Sequence, residues 1–305
     1  MPCHGTFGCN TLSRAFGLLR VSKNQEEERA QAFDLLCAVF AELQKYPGML
    51  IEPEILRNLP INVVIKRFPL NEGMGDSEFF IPLSWEAITV IHRRNLETPE
   101  IAEKFSGIQE AADKGFPQYF NADYQPRWLC WRLLWELEGV PRMGTNNNSQ
   151  TLRTVTEWRS GGFSFAQEFY PYLRQYINPK YPKWMPGDHW TKSRHPHVKV
   201  SMHGTYESHP MHPLRPELLT IIAAMCTRLM DDEYKEHSII PVMMFSFMLP
   251  RHGRLFIANF DGHELTVRMS DTIPFASTDE DSWASFIRYL AGDINPIGNT
   301  SCLRK

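Results

Sequence analysis

Six of the eleven histidines fall in one stretch, at His189, His195, His197, His203, His209 and His212. Imidazole is the side chain whose unperturbed pKa lies near neutral pH, which suits it to proton transfer. It is also a common ligand of zinc, copper, iron and nickel. The spacing within "HPHVKVSMH" alternates. In an extended chain His195, His197, Lys199, Ser201 and His203 point one way, and Val198, Val200 and Met202 the other.

Three chemistries fit this pattern. A metal ion can be held by His195, His197 and one of His203, His209 or His212. One histidine can act as acid or base without a metal, oriented by Asp188, Glu207 or Glu168. The third reading is a surface loop that packs its rings by their faces and solvates their edges, and it demands least of the sequence. Pro196 marks the segment as an edge strand or an irregular one.

A second cluster, Arg251-His252-Gly253, joins two apolar runs, and Arg251 suits a carboxylate or phosphate. With His197 and His203, Arg251 and His252 complete the candidate catalytic set. Trp131 and Trp135, on the helical stripe begun by Trp128, and Trp190 are the candidate substrate-binding set, although a helical aromatic stripe also simply packs. The metal set is His195, His197 and His203. Ser164 sits in a loose nucleophile elbow, Gly162 to Ala166. With Gln167 three residues on, it also forms a capping box, the simpler explanation. The chain has no phosphate-binding G-x-x-x-x-G-K-[ST], no third glycine after Gly73 and Gly75, and no H-E-x-x-H.

The elements that must position these residues follow from periodicity. Residues 1–24 read as a flexible tail. A helix runs from Gln25 to Lys45, with Phe33, Leu36, Val39, Phe40 and Leu43 on one face. "INVVIKRF" reads as a strand. Ser84 caps a helix, and Thr98-Pro99-Glu100 starts another. "PRWLCWRLLWELEG" is an aromatic helix stopped by Gly139. "TLRTVTEW" reads as a strand. Residues 178–216 hold a proline- and histidine-rich connection without a sustained period. "RPELLTIIAAMCTRLMDDEY" is an amphipathic helix, with Leu218, Ile221, Ile222, Met225 and Leu229 on its buried side. "HSIIPVMMFSFML" is apolar on both faces, as in a central strand. Asp261-Gly262 separates two strand patterns and predicts a two-residue type I′ hairpin. "DSWASFIRYLAG" is a short closing helix.

The order of elements predicts an α+β fold. A helix-rich N-terminal half packs on a C-terminal antiparallel meander, about residues 238–270. The domain is expected to span 25–292, with 293–305 as a second tail. A formal net charge of −3 and no basic stripe argue against a nucleic-acid partner. No apolar run reaches the ~20 residues of a membrane helix. The six scattered cysteines form no C-x-x-C pair, which points to a reducing compartment and small apolar roles for Cys37, Cys130 and Cys226. A cytoplasmic location follows. Mitochondrial import is the lesser alternative, since no acid precedes Asn24 while Arg14, Arg20 and Lys23 do.

The expectation is an intracellular enzyme acting on a small organic molecule in a pocket between the aromatic helix, the histidine segment and the end of the meander. The sequence names no cofactor. The alternatives are a non-catalytic binding or regulatory protein that uses a Trp-, Tyr- and His-rich surface, and a serine hydrolase at Ser164.

Overall fold

The computed structural model describes residues 10–70, 79–88, 125–143, 149–161, 183–275, 280–301 and 303. Among these, a mixed sheet of eight strands is covered on both faces by helices. The fold is α+β, as the sequence predicts.

Helix α1 (Asn10–Lys45) begins inside the stretch read as a tail. Its Leu36, Val39, Phe40 and Leu43 are buried as expected, and Phe33 is half-buried beside them. A short helix α2 (Pro53–Arg57) leads to strand β1 (Asn62–Phe68), and β2 (Phe80–Ile81) follows. Ser84 caps the next turn through its Oγ, which accepts from the Ala87 amide at 3.0 Å. The Thr98 start signal lies outside the described residues. Helix α3 (Gln125–Glu138) is the aromatic helix, ended at Gly139.

Strands β3 (Arg142–Met143) and β4 (Ser149–Gln150) pair with each other. The segment read as a strand at "TLRTVTEW" is instead helix α4 (Leu152–Thr156), closed by Glu157 in the left-handed region at φ 61°. Its β-branched threonines mimic a strand, but only Leu152 of this helix is buried, so no strand-like face is needed. Then come β5 (Arg159–Ser160), β6 (Trp184–Thr191) and β7 (Val198–Glu207). Helix α5 (Arg215–Met230) carries the chain to β8 (Val242–Leu249), β9 (His252–Phe260) and β10 (Glu264–Ser270). Strand β11 (Ile273–Pro274), helix α6 (Glu280–Ala291) and β12 (Asp293–Ile294) complete the set.

The strand order is β1-β10-β9-β8-β7-β6-β5, with β11 also on β9. The expected meander is β8-β9-β10, antiparallel throughout. It is the middle of a larger sheet: β7 joins β8 in parallel and β1 joins β10 in parallel. The N-terminal half therefore contributes a sheet edge as well as helices. The 178–216 connection is corrected most. It supplies β6 and β7, two long interior strands, and Pro196 lies just ahead of β7. The alternation of "HPHVKVSMH" belongs to β7, but its polar side does not face solvent. Lys199 and Ser201 are fully buried, so both faces of the strand are covered.

Each face of the sheet has its own core. One side packs Val198, Val200, Met202, Val242, Met244 and Val267 under α1 and α5. The other packs Met243, Phe245, Phe247, Leu255 and Ile257 under α3 and α6. The β9–β10 turn also differs from the expected type I′. Only Gly262 has positive φ, at 100°. Asp261 Oδ1 accepts from the amides of His263 and Glu264 at 3.0 and 2.9 Å, so a side chain closes a longer loop and one left-handed residue suffices.

Candidate functional site

The alternation read from "HPHVKVSMH" is present. Val198, Val200 and Met202 face α5, while Lys199, Ser201 and His203 face α3 and α6. The polar side is buried, and each member has its own surroundings.

Lys199 is fully buried and donates to three carbonyls at the end of α6: Tyr289 O at 3.1 Å, Leu290 O at 2.7 Å and Gly292 O at 2.7 Å. Its Nζ also lies 3.9 Å from the centre of the Trp158 ring, whose Nε1 donates to Gly292 O at 2.8 Å. Three acceptors for three N–H bonds specify the ammonium form, and the negative end of the helix favours it. Burial pulls the other way and drives the pKa of Lys199 well down. Lys199 is a helix cap made by a strand.

Ser201 binds the β6 bulge: its Oγ accepts from the Asp188 amide at 2.9 Å and reaches the Asp188 carbonyl at 3.3 Å. Gly187 is required there, because a Cβ would sit 2.6 Å from Ser201 Oγ. The bulge turns Asp188 inward. The residue is fully buried, and neither carboxylate oxygen has a hydrogen-bond partner among the described residues. Burial first, then the charge of Glu138, raises its pKa to about 6. Beside it the Cys130 thiol is pushed well up by burial.

The structure separates the expected histidines. His195 is exposed, and His197, 2% exposed, sits edge-on to Phe80. Neither ring nitrogen of His197 has a hydrogen-bond partner among the described residues, and burial lowers its pKa to about 3. His203 lies farther along β7 on the α3 side, where burial and then the Arg127 charge lower its pKa to about 4. Its register partner on β8 is Phe247. His252 is paired with the next residue, Met248, and so lies on the opposite face of the sheet with Arg254. Arg251, at φ 81°, lies in the β8–β9 turn and His252 opens β9, at the far end of β8 from His197. The candidate catalytic set thus occupies two faces and two ends of the sheet.

The metal set does not assemble either. Among the described residues no three His, Cys, Asp or Glu side chains are placed to hold an ion. His195 and His197 have ring centroids 6.2 Å apart, but one faces solvent and the other the core. The buried ammonium of Lys199, two residues on along the same face of β7, puts a positive charge where a cation would have to sit. The expected binding tryptophans are also dispersed. Trp131 is 41% exposed on α3, Trp135 is half-buried, and Trp190 is buried edge-on to Phe245. Ser164, Gln167 and Glu168 lie outside the described residues.

What the fold does create is a cleft of about 460 Å³ at the β5–β6 corner. Helix α4 contributes Arg153 and Thr154, the segment into β5 contributes Glu157, Trp158 and Arg159, and the β6–β7 turn contributes Lys192, Ser193 and His195. Its volume is that of a small-molecule site, ~300–1,000 Å³. Lys192 is bound to Asp293 at 2.9 Å and to Glu157 at 3.5 Å, and Arg153 lies 3.7 Å from Glu138. Arg159 is exposed and has no ion pair among the described residues. Glu157, one of three non-glycine residues with positive φ among the described residues, lines the cleft. Left-handed backbone costs ~1–2 kcal/mol per residue and gathers at functional sites.

Of this site, sequence reasoning had found His195 alone. The available signal was the polar run Lys192-Ser193-Arg194-His195, which reads as a turn once β6 and β7 are known to be strands. Arg153 and Arg159 carried no signal, because only the fold brings α4 and β5 to that turn. Comparison with protein-family models, with curated proteins and with solved structures finds no match for the chain.

Proposed function

We propose that the protein is an enzyme acting on a small organic molecule with an anionic group, held in the β5–β6 cleft. Arg159 is the anion's anchor, since its guanidinium can meet a carboxylate or phosphate with two parallel hydrogen bonds. His195 is the group able to give or take a proton there. The supporting observation is the convergence of Arg153, Arg159, Lys192 and His195 on one cleft of ligand size, with left-handed backbone at Glu157.

A titration with succinate and inorganic phosphate, followed by calorimetry, tests the binding. Saturable binding weakened at least tenfold in Arg159→Ala is expected, and the reading is overturned if neither these anions nor any other small carboxylate, with or without an amine, binds. Turnover is tested by incubating the protein with a mixture of small metabolites and following each by mass spectrometry. Consumption by the wild type and not by His195→Gln is expected. A non-catalytic binding protein is the second reading, favoured because no carboxylate among the described residues pairs with His195, whose ring neighbour is His197 at 6.2 Å between centroids. On that reading, anions bind and nothing is consumed.

A further inference from the structure

The charges around the cleft decide more than the presence of an anion site. Counting the residues that line the cleft and their ion-pair partners, three permanent cations, Arg153, Arg159 and Lys192, are matched by three carboxylates, Glu138, Asp293 and Glu157. The sum is zero with neutral imidazole. A dianion such as a phosphate monoester or a dicarboxylate would leave the corner with net negative charge. A ligand with one anionic and one cationic group leaves it balanced.

The carboxylates are not equally engaged. Asp293 holds Lys192 in direct contact at 2.9 Å, while Glu157 stands off at 3.5 Å with its side chain 75% exposed. Lys192 therefore keeps its counter-ion if Glu157 turns to a ligand. Glu157 and Arg159 lie two residues apart on the same wall of the cleft, one a loosely held acid and the other a cation without an ion pair among the described residues. Between them, Trp158 is fully buried, and Lys199 sits over its ring, so it offers no face for stacking an aromatic ligand. The lining is otherwise short hydroxyls, Thr154 and Ser193.

We propose that the ligand is a small non-aromatic zwitterion of the amino-acid type, its carboxylate on Arg159 and its ammonium on Glu157. This rests on the anion-binding reading of the cleft. It adds Glu157 as the residue that selects among anions.

The test is calorimetric titration of the full chain with L-alanine and γ-aminobutyrate, against propionate, butyrate, succinate and inorganic phosphate. The proposal expects at least one zwitterion to bind tenfold or more tightly than the carboxylate lacking its amine. Glu157→Gln should erase that advantage and leave propionate and butyrate affinities within about twofold. Arg159→Ala should weaken zwitterion and carboxylate alike by tenfold or more. Both side chains are exposed, and an unchanged thermal midpoint confirms that the variants fold. If succinate or phosphate binds more tightly than both zwitterions, or if Glu157→Gln keeps the preference, the zwitterion is overturned while the anion site stands. If none of the six compounds binds, the reading of the cleft falls with it.

Discussion

Asp188 and His197 are two buried polar groups that hydrogen bonding does not satisfy among the described residues, and both make stability depend on pH. The carboxyl of Asp188 has a folded pKa of about 6, against ~3.9 for a free aspartate. The folded state thus holds a proton that the unfolded chain has released. Its contribution is present below pH ~4 and is lost as pH rises to about 6, a change of about 3 kcal/mol at 1.36 kcal/mol per unit. Asp188→Asn does not titrate, so its stability relative to wild type should rise by that amount between pH 4 and pH 7, as read by urea unfolding. Curves that stay parallel would count against it. His197 has the opposite sign. Its folded pKa of about 3 lies below the ~6.5 of free imidazole, so stability is lost as pH falls through 6.5, by roughly 2 kcal/mol at pH 5. His197→Phe should remove that slope, and an unchanged acid midpoint would show that the imidazole is not the cause. At this scale the sequence drew attention to the right segment. It did not separate a histidine in the core from one at the surface, because alternation assigns a face without saying what covers it.

At the scale of elements, strands fasten the ends of helices. Lys199 of β7 caps α6, and Arg254 of β9 binds Glu217 near the start of α5 through Nε at 2.9 Å and through a second contact from Nη2. Ser246 of β8 also donates to Glu217 at 2.7 Å, and Glu217 accepts from the Leu214 amide at 2.7 Å. Breaking such a buried pair strands a charge, at ~3–5 kcal/mol. Glu217→Gln should cost that much in chemical denaturation, whereas an exposed pair such as Lys45–Glu42 should cost under ~1 kcal/mol. Lys199→Met removes the lysine donor from Leu290 O and leaves Tyr289 O and Gly292 O with one donor each, from the Gly292 amide and Trp158 Nε1, and the end of α6 should show faster amide exchange well before global unfolding. Loss of protection spread evenly over the molecule would argue against a local cap. Helices α1, α3, α5 and α6 and strands β1, β8, β9 and β10 were legible because apolar spacing matched their burial. Strand β6 was not, since Pro186 and Gly187 break its pattern at the bulge, and β7 was legible only as an alternation, because its polar side, Lys199 and Ser201, is spent on a buried cap and the bulge.

At the scale of the molecule, the sheet separates two apolar cores; β8 and β9 serve both, and β7 beside them is buried on both faces. Their amides should be the slowest to exchange, with protection near the global stability, while α4 and β5 at the cleft corner should exchange faster. Equal protection at the corner and the centre would contradict this. The cleft was illegible for a reason of the same scale. Arg153, Arg159, Lys192 and His195 come from three elements, and no spacing along the chain encodes their meeting.

The parallel pairing of β1 with β10 sets a timetable for synthesis. Val63 meets Leu265, and Arg29 of α1 donates to the carbonyls of Arg228 and Asp231 at the end of α5, at 2.8 and 2.9 Å. Each partner emerges from the ribosome about 200 residues after the segment that waits for it, on the order of 10–40 s at ~5–20 residues per second. Through that interval the apolar stripe of α1 and the open edge of β1 have no native surface to bind. A ribosome-bound nascent chain stopped before β10 should therefore stay protease-sensitive at its N-terminal segments and recruit chaperones that hold exposed apolar helices.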